Sequence, residues 1–271
     1  MLSQVLKWPQ SLQASHRLTK KSFYEHGQLS SSAQKLLQNE VETIHIRGHM
    51  TPDNSNMPAF QNDQQEYLEL FAIEINLKNH QAWSELTNKQ ITTLHELVHK
   101  AIAYPLILEI RSGDRVQWSL AEKATHQSDA DYDKLIIHEL MQTDWIHCQQ
   151  PQALETDFFK ALAFDRLSRQ NLYRFYQSLM QAFIAFLIAR QTGRSELAAL
   201  PENQDNAHTS QATLNAQRQT LKRIGQLIRE VEQLKTKIKG CDQFNEKVEL
   251  NLQLQTRNQE LEALKTGYYE R

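Results

Sequence analysis

The sequence predicts an α/β (α+β) fold, a single mixed sheet covered by helices, followed by a long helix and a C-terminal antiparallel coiled-coil hairpin. Three observations lead there. Short β-branched or apolar runs alternate with helical periodicities over residues 1–150, the pattern of one sheet with covering helices. Past Leu214 the pattern becomes a heptad seam broken once, at Lys239-Gly240-Cys241-Asp242. Only seven glycines and six prolines occur in 271 residues, which favours long regular elements over loops. Three parts follow: an α/β domain over 1–150, a helical connector over 151–203 and a coiled-coil hairpin over 204–271.

A helix is expected over 29–40, where Ser30, Ser31 and Ser32 offer capping oxygens and Leu36 and Leu37 an apolar stripe. The β-branched run 41–46 reads as a strand closed by Gly48, and Thr51-Pro52-Asp53-Asn54-Ser55-Asn56 as a turn-rich loop. Residues 67–78 make the clearest strand. Its apolar set changes phase near Ala72, as expected of a strand buried on both faces or bearing a bulge. Ile91, Leu94, Val98 and Ile102 put one apolar face on a helix over 87–102, which Pro105 ends. Two strands, 106–110 and 116–121, flank the hairpin signal Ser112-Gly113-Asp114, and 135–141 is a last strand. Helical spacing recurs over 154–190 and stops at Gly193; 201–210 is a polar linker. Thr220, Ile224, Leu227, Val231, Leu234 and Ile238 then form the seam, which resumes at Phe244 and Val248 and runs on through Leu250, Leu254, Arg257, Leu261, Leu264 and Tyr268.

Charge is nearly balanced, with 30 Lys plus Arg against 32 Asp plus Glu, so no whole-chain field calls for a polyanion. Cys148 and Cys241 lack metal-type spacing and suit a reducing, cytoplasmic setting without a disulfide. No signal-type run opens the sequence and no stretch reaches the ~18 apolar residues of a membrane span; Gln177 and Gln181 interrupt the nearest, 175–188, which reads as a buried helix.

Two patterns carry chemistry. His95-Glu96-Leu97-Val98-His99 is a formal HExxH, in which two imidazoles one turn apart bind zinc and the glutamate polarises water. No third-ligand extension follows it, and the helical wheel puts His95 near the edge of the apolar face and Glu96 away from it, so a surface-edge histidine pair is the simpler reading. Pro52-Asp53 followed by Glu74-Ile75-Asn76-Leu77-Lys78 is similar to the PD-(D/E)xK pattern of Mg²⁺-dependent nucleases, with Asp53 and Glu74 as metal ligands and Lys78 steadying the attacking water. Asn76 stands where an acid belongs, and a structural Glu74–Lys78 pair is the simpler alternative. No cofactor is expected outside these readings, Mg²⁺ belonging to the second and zinc to the first. Arg218, Lys222, Arg223, Arg229, Lys235, Lys237 and Lys239 make the first hairpin helix basic, by default a solvated face. A two-helix hairpin leaves much of its seam open, so it is expected to dock on a partner or on a second copy.

Lys21-Ser22-Phe23-Tyr24-Glu25, Leu29-Ser30-Ser31, Thr51-Pro52-Asp53, Ala103-Tyr104-Pro105, Thr143-Asp144-Trp145 and Gln243-Phe244-Asn245-Glu246-Lys247-Val248-Glu249-Leu250-Asn251 occur in this order. Through them the chain resembles the bacterial domain-of-unknown-function family 4391, the last segment being the most specific. The resemblance implies a companion of helicases and modification methyltransferases in restriction-like, phage-defence gene neighbourhoods. It implies an acid where this chain has Asn76, and no shared HExxH. The expected function is therefore an accessory, non-catalytic subunit of a DNA-targeting restriction-modification or antiviral defence system. Its hairpin would dock on a helicase or methyltransferase through Phe244, Asn245, Lys247, Glu249 and Asn251, reaching DNA through the complex and with no membrane. The alternatives are a divergent Mg²⁺-dependent nuclease at Asp53, Glu74 and Lys78, and a zinc hydrolase at His95, Glu96 and His99.

Overall fold

In the computed structural model residues 1–26, 29–62, 65–78, 86–125, 135–193, 197 and 211–267 are described, which leaves the expected linker 201–210 and Tyr268 outside. The described residues fall into two compact units, one built on residues 1–186 and the other on 211–267 with the end of the preceding helix from Leu187.

In the first unit, α1 (Leu2–Leu6), β1 (Gln13–Leu18), α2 (Lys20–His26) and α3 (Ser31–Glu40) precede β2 (Val41–Met50), and one turn, α4 (Pro52–Ser55), follows it. A two-stranded ribbon, β3 (Phe60–Gln61) with β4 (Glu66–Tyr67), leads into β5 (Leu70–Leu77), α5 (Asn88–Ala101), β6 (Leu106–Ser112), β7 (Arg115–Thr125), β8 (Leu135–Gln142) and β9 (Ile146–His147). Helices α6 (Ala153–Ala161) and α7 (Leu172–Thr192) complete the unit's elements. The sheet is mixed, as expected, and seven-stranded: its order is β1-β2-β5-β6-β7-β8, with β9 on β7. Only β5 and β6 run parallel, because α5 carries the chain across between them.

Local chemistry accounts for the elements. Ser30 caps α3 by accepting from the Ala33 N–H, and Thr87 with Gln90 forms a capping box on α5. The 51–56 loop proves to be the single helical turn α4, because Thr51 and Asn54 make a capping box around Pro52; Asn56 closes it in the left-handed region. The hairpin at Gly113 has φ +59°. β5 is buried on both faces, and the change of phase has its counterpart in β2, where the register passes from Ile46 to Gly48 and leaves Arg47 unopposed. Gly48 does not end β2. It lies inside the strand because a Cβ there would overlap the Trp8 ring, which packs across the sheet and meets Phe175 edge-on.

One core lies between the sheet and helices α2, α3 and α5, with Leu37, Ile44, Ile73, Ile75, Leu94, Val98, Leu108 and Ile110 buried in it. The other face carries α1, α6 and α7: Trp118 packs on Phe159, Phe158 on Phe183 and Phe186, and the buried Tyr176 hydroxyl donates to backbone carbonyls of β6 and β7. The 154–190 periodicity thus belongs to two helices, broken by the turn Phe164–Arg166. Among the described residues no helix is long and apolar enough to cross a membrane.

The second unit is the expected antiparallel hairpin of α8 (Gln211–Gly240) and α9 (Phe244–Gly267). Ile224 and Leu227 pack on Leu261, with Leu264 alongside. Arg223, Glu230, Arg257 and Glu260 form a ring of ion pairs between the helices; Arg257 lies 3.0 Å from Glu230 and 2.9 Å from Glu260, and Arg223 closes the ring on Glu260.

Candidate functional site

The residues of the HExxH are not at a surface edge. His95 and His99 are wholly buried under α5, because their face of the helix lies on β7. Both rings meet one hydroxyl: His95 Nδ1 is 2.7 Å and His99 Nε2 2.9 Å from Ser119 Oγ, while His95 Nε2 faces Gln117 Oε1 at 3.3 Å. Burial lowers His95 to a pKa of about 3, against the raising effect of its bond to Gln117. Burial, Lys123 and His95 lower His99 as well. Glu96 points away and pairs with Lys100 on the exposed face. This arrangement is a neutral polar knot in the core. Beside it, burial lowers Lys123 to about 7, and its Nζ donates to the Ile102 and Tyr104 carbonyls at 2.6 Å each, capping the end of α5.

Asp53, Glu74 and Lys78 are spread along β5 and past both its ends. Asp53 is exposed on α4, beyond the Leu70 end of β5, which lies roughly 13 Å along the strand from Glu74. Lys78 follows the other end and gives its Nζ to the Gln38 carbonyl of α3, as does Lys20. Glu74 is therefore not paired with Lys78. Its partner is Arg47, the residue the bulge displaces, at 2.7 Å through Nη2 and 3.2 Å through Nε. Asn76 Nδ2 adds a bond to Glu74 at 3.3 Å and one to Thr43 at 3.0 Å. Burial raises the Glu74 pKa, but Arg47 and Asn76 outweigh it and hold the carboxyl below its usual value.

A residue that no sequence pattern singles out joins this group. Glu109 on β6 is the register partner of Glu74 on the parallel strand and has no solvent exposure. Arg111 reaches its Oε1 at 3.1 Å and the Met1 amino group lies 3.8 Å away. Burial nevertheless keeps its pKa raised against both cations. Arg47, Glu74, Asn76, Glu109 and Arg111 thus form a continuous polar patch on the sheet face opposite the α3–α5 core. The signal in the sequence that could have found it is a glutamate set inside an apolar run, Glu109 in Leu106-Ile107-Leu108-Glu109-Ile110 as Glu74 in Ala72-Ile73-Glu74-Ile75. Among the described residues no three His, Cys, Asp or Glu side chains are grouped to hold a metal ion.

In the hairpin, α9 presents Phe244, Val248 and Leu252 at 79%, 45% and 60% exposure, at successive spacings of four that align them along one side of the helix. Asn245, Lys247, Glu249 and Asn251 flank this stripe and are exposed, Asn251 turning its Nδ2 back to the Lys247 carbonyl at 2.7 Å. From Asn251 an open hollow of about 460 Å³ continues past Leu254, Gln255, Asn258 and Gln259 to Glu262.

The model of the family described as "Domain of unknown function (DUF4391)" matches residues 6–261. No curated protein and no solved structure matches the chain. The match takes in both units, and the chain belongs to the DUF4391 family.

Proposed function

We propose that this DUF4391 member is an accessory subunit of a bacterial DNA-targeting, restriction-like or antiphage defence system, docking through its hairpin on a helicase or methyltransferase. The observation that carries the reading is the stripe Phe244–Val248–Leu252, three large apolar side chains left in water at the turn end of a hairpin whose seam is closed at its other end. A helix presenting apolar anchors at spacings of four, with amides and opposite charges beside them, suits the groove of a larger protein, which reads such anchors by shape. The polar residues Asn245, Lys247, Glu249 and Asn251 would set orientation at the rim, where hydrogen bonds give specificity more than affinity. The kind of partner rests on the family resemblance.

The experiment is affinity purification of the tagged full-length protein from its own host, against the double variant Phe244→Asp, Val248→Asp. The wild type is expected to recover a helicase or methyltransferase in stoichiometric amount, and the variant to lose it while keeping its helix content. Equal recovery by both, or by a chain lacking residues 207–271, removes the hairpin from the interface.

A further inference from the structure

Three cations gather where α3 runs into β2, at the β1 edge of the sheet. Lys20 Nζ donates to the Gln38 carbonyl at 3.1 Å and to the Val41 carbonyl, and Lys78 Nζ donates to the same Gln38 oxygen at 3.1 Å. Two ammonium groups that share one oxygen at these distances lie no more than about 6 Å apart. Arg17, exposed on β1, completes the group. Burial lowers the Lys20 pKa, and the charges of Lys78 and Arg17 lower it further. Among the described residues none of the three makes an ion pair. Other cations of the unit do: Arg47 meets Glu74, Arg111 meets Glu109 and Lys100 meets Glu96.

A lysine at a helix C-terminus is ordinarily a cap, since the last carbonyls lack intrahelical donors. Lys20 alone supplies that cap, reaching both carbonyls. A second ammonium on the same oxygen and a guanidinium beside it add repulsion that capping does not require. Donors are also left over. An ammonium has three N–H groups and a guanidinium five, so Lys20 keeps one, Lys78 two and Arg17 all five.

We propose that Arg17, Lys20 and Lys78 form a contact for the phosphate backbone of a nucleic acid, whose oxygens accept from the spare donors and whose charge relieves the repulsion. A polyanion is the ligand that open cations fit, because it gives up condensed counterions to them and requires no enclosing cavity. Such a contact fixes position and reads no sequence. Lys78 acts in it without Asp53 or Glu74. The contact goes beyond the docking reading, since all three residues lie in the sheet unit and none in the hairpin.

The test is fluorescence anisotropy of the full-length protein with a short labelled DNA duplex at several salt concentrations. The wild-type affinity is expected to fall with salt at a log–log slope of about −2.7 or steeper, from three phosphate contacts. Arg17→Gln combined with Lys78→Gln is expected to make the slope shallower by about 2 and to weaken binding equally for unrelated sequences. Arg229→Gln combined with Lys237→Gln removes the same charge from the hairpin and is expected to leave the slope unchanged. Phe244→Asp combined with Val248→Asp is expected to bind the duplex with the wild-type slope while losing its protein partner, so the two readings fail separately. No binding by the wild type, an unchanged slope in the sheet variant, or an equal loss in either hairpin variant overturns the proposal. If thermal melts show the sheet variant unfolded, Arg17→Gln alone decides, because its exposed side chain holds no other group in the fold. A slope shallower by about 1 then supports the contact, and an unchanged slope overturns it.

Discussion

The sheet unit buries polar groups and the hairpin exposes apolar ones, and each inversion marks a place where local pattern and tertiary environment disagree. In the sheet, His95, His99, Glu109 and Lys123 lie in the interior and are tolerated because partners reach most of their polar atoms. In the hairpin, Phe244, Val248 and Leu252 lie in solvent although the heptad pattern makes the first two seam residues. The hairpin is closed by Ile224 and Leu227 on Leu261, with Ile228 and Leu264 alongside, and by the ring of ion pairs, and Phe244, Val248 and Leu252 lie outside that cluster. In the sheet unit the inversion is polar. A buried polar network holds one arrangement, whereas an exposed apolar stripe is available to a partner.

Acid should separate the two regions most. The folded pKa of His95, about 3, lies below its unfolded value of about 6.5, so the unfolded chain takes up the proton first. The stability contributed by keeping this ring neutral is complete above about pH 6.5 and is lost as pH falls through 3, in total roughly 5 kcal/mol. Urea unfolding of the sheet unit, followed by Trp fluorescence at pH 7 and pH 4, should show a large drop; an unchanged midpoint would mean the histidines are not buried. Next comes packing. Ile73→Ala, in the central core, should cost about 3 kcal/mol in the same assay, and a loss near zero would remove β5 from the core. Gly48→Ala should cost about 1–3 kcal/mol, because the new methyl must displace the Trp8 ring. Smallest is Phe244→Ser: at 79% exposure it should change stability by less than about 0.5 kcal/mol while weakening partner capture. A loss of several kcal/mol there would mean that Phe244 is packed and that the contrast between the regions fails.

The sequence by itself determined the elements whose signals are local. The serine run before α3, Thr87 with Gln90 on α5, Gly113 in the β6–β7 turn, the heptads of α8 and the break at Lys239 to Asp242 each act through neighbours a few residues away, and the structure keeps them. The mixed sheet with covering helices followed from their order. Residues whose meaning depends on distant strands were decided only by tertiary structure. The HExxH looked like an edge motif because a helical wheel ranks faces by hydrophobicity, and it could not contain Ser119 and Gln117 on β7, which take the histidines into the core. Gly48 looked like a strand end until Trp8 crossed over it. Glu74 suggested Lys78 because they are close in sequence, yet a bulge aims Arg47 at it and a parallel register sets Glu109 beside it. Strand register is a property of pairing, and no single strand carries it; residues brought together by it remain invisible until the sheet is assembled.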